Sequence, residues 1–164
     1  MCHETSAVPV AARILVVDDH ADYAESVAKL LELLGHEVQV ASDGPHAIAS
    51  ALLWQPDFIL LELGLPGMDG YQVAARLRQE ASCQKTVIIA VSGYGLPKDR
   101  QQSHTAGINF HLLKPIDIPV LQSLLIRSQA LSNGQGPSPG DPDISAAAVE
   151  IVGFAIRRGW LSEC

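Results

Sequence analysis

Cysteine is scarce. Cys2, Cys83 and Cys164 are three in 164 residues, odd in number and widely separated, which excludes a disulfide framework and a zinc-ligand spacing. A reducing, cytoplasmic setting is expected. Positive charge is also short, with 11 Lys and Arg against 18 Asp and Glu and a formal net charge of -7. No Lys/Arg cluster able to neutralise a run of phosphates is present, so no nucleic-acid partner is expected. Long hydrophobic runs are missing as well: none reaches the ~18 residues of a membrane span, and residues 1–12 lack the basic start and apolar core of a signal peptide. No membrane partner is expected. Internal repeats, a Gly-rich phosphate loop, a Ser/His/Asp order and a Cys nucleophile context are absent too.

What is there is 48% hydrophobic, enough for a real core in one domain with an extension. Strand and helix patterns alternate along it. Arg13 to Val17 is a short apolar strand stopping at Asp18-Asp19-His20, and Ala21 to Leu34 repeats apolar residues at helical spacing before the stop signal Gly35. Glu37 to Ala41 reads as a second strand, and Ser42-Asp43-Gly44-Pro45 supplies turn chemistry before a helix over Ala47 to Trp54. Phe58 to Leu61 is a third strand, followed by a helix over Tyr71 to Glu80. Val87 to Val91 is a fourth strand, followed by a polar helix over Lys98 to Ala106. Phe110 to Leu113 is the fifth strand and Ile118 to Ala130 the fifth helix. Such alternation implies βαβ crossovers and a parallel sheet with helices on both faces, an α/β doubly wound fold.

In open sheets of this kind ligands sit beyond the carboxyl ends of the strands, and for order 2-1-3-4-5 the switch point lies between strands one and three. Asp18, Asp19 and Glu62 converge there. Ser92 closes strand four and Lys114 follows strand five, so one rim carries three acids, a hydroxyl and an amine. Three close carboxylates repel unless a cation or proton joins them, and hard oxygen ligands suit Mg²⁺. Lys114 and Ser92 suit an anionic oxygen, which makes a phosphoryl site. Blander alternatives stand beside this: Glu62 pointing outward from its strand, Asp18-Asp19 capping the first helix, and Lys114 as a surface lysine before a proline turn.

At these residues the sequence resembles the receiver domain of two-component response regulators, from about Arg13 to Arg127. Val16-Val17-Asp18-Asp19, Leu65-Pro66-Gly67-Met68-Asp69-Gly70 and Leu113-Lys114-Pro115 carry the resemblance. Thirty positions separate Glu62 from Ser92 and twenty-two separate Ser92 from Lys114, as in family members. The resemblance implies a flavodoxin-like receiver fold. It also implies Mg²⁺ held by Asp19 directly, by Asp18 through water and by the backbone carbonyl of Gly64, with Ser92 and His111 at the hydroxyl and aromatic switch positions and a cis Lys114-Pro115 bond. The family's acceptor is an aspartate, and Glu62 stands in its place. Misplacing a nucleophile by about 1 Å costs on the order of a hundredfold, and an extra methylene is enough for that. Glu62 is still a carboxylate that can ligate Mg²⁺, or imitate a phosphoryl group in part by reaching Ser92 or Lys114. His111 is expected either in the switch groove or facing solvent.

Three function classes follow. A phosphorylation-independent receiver module is preferred over a conventional receiver phosphorylated by a histidine kinase. A metal-dependent phosphatase fares worst, because the acids after strand one are adjacent rather than Asp-x-Asp. No enzyme is expected; the expected partners are a histidine kinase, a downstream signalling protein or a second copy of the chain. The expected division is an N-terminal extension over 1–12, a receiver over 13–131, a Gly/Pro/Ser linker over 132–143 and a short apolar C-terminal helix over 144–164.

Overall fold

The computed structural model describes residues 11–93 and 100–132. Five strands, β1 (Arg13–Val17), β2 (Glu37–Ala41), β3 (Phe58–Glu62), β4 (Val87–Ser92) and β5 (Phe110–Leu113), alternate with α1 (Ala21–Leu33), α2 (Gly44–Trp54), α3 (Gly70–Arg78), α4 (Arg100–Ala106) and α5 (Ile118–Ser132). The sheet is parallel in the order β2-β1-β3-β4-β5. Its register sets Val17 beside Leu61, Glu62 beside Val91 and Ser92 beside Leu113. The carboxyl ends of β1, β3, β4 and β5 therefore lie along one rim.

Successive strand residues point to opposite faces, and each face has its own core. Val16, Leu60 and Ile89 pack with Leu31 of α1 and Leu121 of α5. Leu15, Ile59 and Ile88 pack with Ala51 of α2 and Leu77 of α3 on the other side. All five residues of β3 are buried, as a strand covered on both faces requires. Among the described residues, no helix is long and apolar enough to cross a membrane.

Local chemistry sets the helix ends. Gly35, at φ 96°, closes α1: its N–H donates to Glu32 O at 2.9 Å and the N–H of His36 to Leu31 O at 3.1 Å, the paired bonds of a Schellman stop. α2 starts three residues before the expected Ala47, because Asp43 accepts the His46 N–H at 2.8 Å and Pro45 fits the first turn. α3 starts at Gly70 behind a capping box of Asp69 and Gln72. A Cβ on Gly70 would meet the Glu62 carbonyl oxygen at 2.6 Å, so only glycine lets α3 come this close to the end of β3.

Two features were not expected. A short 3₁₀ turn spans Ala81–Cys83. Beside it, the half-buried Arg78 guanidinium donates to the carbonyls of Cys83 and Gly107 and to Asn109 Oδ1, tying α3 to the entrance of β5. The expected start of the fourth helix at Lys98, residues 1–10, most of the linker and the C-terminal helix over 144–164 lie outside the described residues. α5 itself runs on through Ser132, the first residue assigned to that linker.

His36 connects α1 to β1. Its buried Nδ1 accepts the Ala12 N–H at 3.1 Å, and burial holds its pKa below the ordinary imidazole value. The unfolded chain therefore takes up this proton first, so stability present above about pH 6.5 declines as pH falls toward the lower folded value. Urea melts should show a lower midpoint at pH 5.5 than at pH 7.5, and His36→Gln should shrink that difference. An unchanged difference in the variant would remove His36 from the pH response.

Candidate functional site

The rim is assembled from strand ends. Asp18 continues the pairing of β1 by donating its N–H to Ala41 O at 3.1 Å, which places its carboxylate inside the sheet end, with a side chain 4% exposed. Its Oδ1 accepts the N–H of His20 at 2.9 Å. Neither aspartate caps α1: the N-cap is His20, with no side-chain capping bond.

Glu62 is the last residue of β3 and is buried rather than turned to solvent. Its side chain curls back so that Oε1 accepts the Gly64 N–H at 2.9 Å. A Cβ on Gly64 would lie 3.3 Å from the same oxygen. Oε2 makes no aligned hydrogen bond, but the Lys114 ammonium stands 2.5 Å away.

Lys114 reaches this point from the rim beyond β5, where its backbone N–H donates to Ser92 O at 2.9 Å and its bond to Pro115 is cis, as the resemblance implies. Nζ donates to Asp18 Oδ2 at 2.7 Å and lies 4.6 Å from the centre of the Tyr23 ring, within range of a cation–π attraction. Burial works against the charge on Lys114, but Asp18 and Glu62, both in direct contact with the ammonium, outweigh it and raise its pKa above the ordinary lysine value. Lys114 is thus no plain surface lysine. Ser92 is half-buried at the end of β4. His111 is buried opposite Ala90 in β5, not solvent-facing.

The expected metal set therefore divides. Asp18 and Asp19 come together, with donor atoms within 4.8 Å of each other and of the His20 ring, whereas Glu62 is held by Lys114 and the Gly64 amide. His20 was not singled out in the sequence, although its position directly after two acids was the available signal. Asp18 and Glu62 share one ammonium and Asp19 adds a third carboxylate at the rim, an excess of negative charge that a divalent cation would offset, and the two aspartates offer the hard oxygens that Mg²⁺ takes. The donor set fits such an ion at Asp18 and Asp19.

The model of the response regulator receiver domain matches residues 14–126. The chain is 35% identical over 119 residues to the DNA-binding dual master transcriptional regulator RpaA of Synechocystis, covering 73% of this chain and 48% of the relative. It is 34% identical over 139 residues to the transcriptional regulatory protein TcrA of Mycobacterium tuberculosis, covering 85% and 53%. The chain thus spans about half the length of these curated relatives. Among solved structures it is similar to the chemotaxis protein CheY4 of Vibrio cholerae, with a TM-score of 0.68 at 28% identity over 73% of this chain and 99% of that one. It is also similar to the receiver domain of the sensor histidine kinase PA1611 of Pseudomonas aeruginosa, with a TM-score of 0.64 at 32% identity over 71% and 95%; that structure has magnesium coordinated in its active-site cleft.

Removing the ammonium tests how far the rim depends on it. Lys114→Met leaves Asp18 and Glu62 buried without a counter-charge and should cost about 3 kcal/mol in urea unfolding at pH 7. Adding Glu62→Gln should return part of that loss, since the double variant buries one charge fewer. Additive effects of the two substitutions would show that the pair is not coupled.

Proposed function

We propose, from the premise that this chain belongs to the response regulator receiver domain family, that it is a two-component receiver module whose signalling state does not wait for phosphorylation. The observation that carries this is the engagement of Glu62 by Lys114 at 2.5 Å and by the Gly64 amide at 2.9 Å. A phosphoryl group on an acceptor would present its oxygens to the same kind of donors, and charge-assisted contacts are the strong ones. Glu62 supplies part of that charge permanently. Attack on a phosphoryl donor would require the carboxylate to leave both contacts and align in-line, which its buried position opposes.

Asp18 and Asp19 hold the divalent ion in this reading, and an ion there lowers the excess negative charge of the rim. Ser92 and His111 serve as the hydroxyl and switch positions through which the rim acts on α4 and β5. The module works as a binding switch rather than as an enzyme, and its partner is a downstream signalling protein or a histidine kinase of the same system. We assign the receiver to residues 13–132, with Ser132 moved from the linker into α5, and the linker to 133–143. The apolar stretch over 144–164 is assigned as a helix that docks on the receiver or on a second copy, since an isolated helix of this length is marginal in water.

Acetyl phosphate labelling tests the central reading. The wild type should gain no stable label, and Glu62→Asp should gain an Mg²⁺-dependent, alkali-labile acyl phosphate. Efficient labelling of the wild type at Glu62 would return the chain to conventional receivers. A truncation after Ser132 tests the tail separately: it should lower thermal stability or shift the oligomeric state, and no change in either would end the docking assignment.

A further inference from the structure

His20 is a donor that the receiver reading leaves unused. Its side chain is 74% exposed, and Nδ1 stands 3.2 Å from Asp18 Oδ1 and 3.4 Å from Asp19 Oδ1. Two donors bonded to one ion at about 2.1 Å lie roughly 3.0 Å apart at an octahedral edge and roughly 3.4 Å apart at a tetrahedral one. Nδ1 is at that spacing from both aspartates, the nearer contact being a hydrogen bond to Asp18, and the donor atoms of all three groups lie within 4.8 Å of one another. Their approach is fixed locally, because the His20 N–H is bound to Asp18 Oδ1 at 2.9 Å and His20 caps a thirteen-residue helix.

Glu62 gives this spacing its meaning. A receiver carboxylate at the end of β3 would face the two aspartates as a third oxygen donor, but here that carboxylate is turned into Lys114 and the Gly64 amide. It is not among the groups whose donor atoms cluster with Asp18 and Asp19. The His20 imidazole is among them.

We propose that His20 replaces the β3 carboxylate as the third protein ligand of the divalent-cation site, giving an Asp-Asp-His donor set that selects imidazole-binding ions of the Mn²⁺, Co²⁺ or Zn²⁺ class over Mg²⁺. Imidazole binds such ions well, whereas Mg²⁺ keeps oxygen ligands and water. Asp18 stays shared between the ion and Lys114, so occupancy weakens the hold of Asp18 on the ammonium and leaves Glu62 as its main partner. The inference rests on the position of Glu62 described above but not on whether Glu62 can be phosphorylated.

Calorimetric titration of the whole chain with CoCl₂ and with MgCl₂, combined with amide NMR to place the Co²⁺ from its paramagnetic shifts, tests the assignment. In the wild type the Co²⁺ shifts should centre on Asp18 to His20, with Co²⁺ bound at least about tenfold more tightly than Mg²⁺. His20→Ala, verified as folded by circular dichroism, should weaken Co²⁺ about tenfold or more while changing Mg²⁺ by less than about twofold. Equal losses for both ions, no loss for either, no binding of Co²⁺, or shifts centred on the Asp43–His46 pair would each overturn it. None of these outcomes bears on labelling at Glu62, so failure here and failure of the receiver reading remain distinguishable.

Discussion

The Lys114 ammonium between Asp18 and Glu62 is the contact on which the rim depends. With Nζ at 2.7 Å from one buried carboxylate and 2.5 Å from the other, it offsets charges that could not be left alone at the closed end of a sheet. Desolvating an ammonium is unfavourable, yet the two acids hold Lys114 charged above the ordinary range. Around that fixed charge the other groups take their places: Glu62 folds toward Gly64, Tyr23 lies against the ammonium, and Asp18 presents its second oxygen to His20.

The fold brings these groups together from distant parts of the chain. Asp18 follows β1, Glu62 ends β3, and Lys114 follows β5 with its backbone bound to the end of β4. Each arrives because its strand ends at the same rim, and the strands end together because the parallel register aligns Val17, Leu61 and Ala90. The close approach of Gly70 to the Glu62 carbonyl then braces β3 against α3. In this geometry the extra methylene of glutamate does not push the carboxylate into solvent; it lets the side chain bend back into contacts within the site. In the proposed reading, this bend is what fills the acceptor position from within.

Much of this architecture is legible in the sequence, because period-two apolar runs and three-to-four spacing report burial directly. The five strands, their order and the rim of Asp18, Asp19, Glu62, Ser92 and Lys114 follow from such patterns and from family motifs. The direction of Glu62 is not legible in its own segment: an acid after Phe58-Ile59-Leu60-Leu61 looks like an exit to solvent, and the counter-charge that keeps it buried belongs to a residue far along the chain. Arg78 is hidden for a similar reason, since its partners are mainly backbone carbonyls that carry no signature of their own. Gly44-Pro45 reads as a turn, but the pair forms the first turn of α2 once Asp43 caps it. His20 is overlooked because a lone histidine at a helix start gives no sign of its distance to the acids before it.

Glu62 and Asp18 together hold the Lys114 ammonium. This shared hold is tested most directly by following the ¹³Cε resonance of Lys114 against pH in the wild type and in Glu62→Gln. The wild-type midpoint should lie above the ordinary lysine value of about 10.4, and that of the variant lower, with one buried anion removed. A wild-type midpoint at or below the ordinary value, or one indifferent to Glu62, would contradict it.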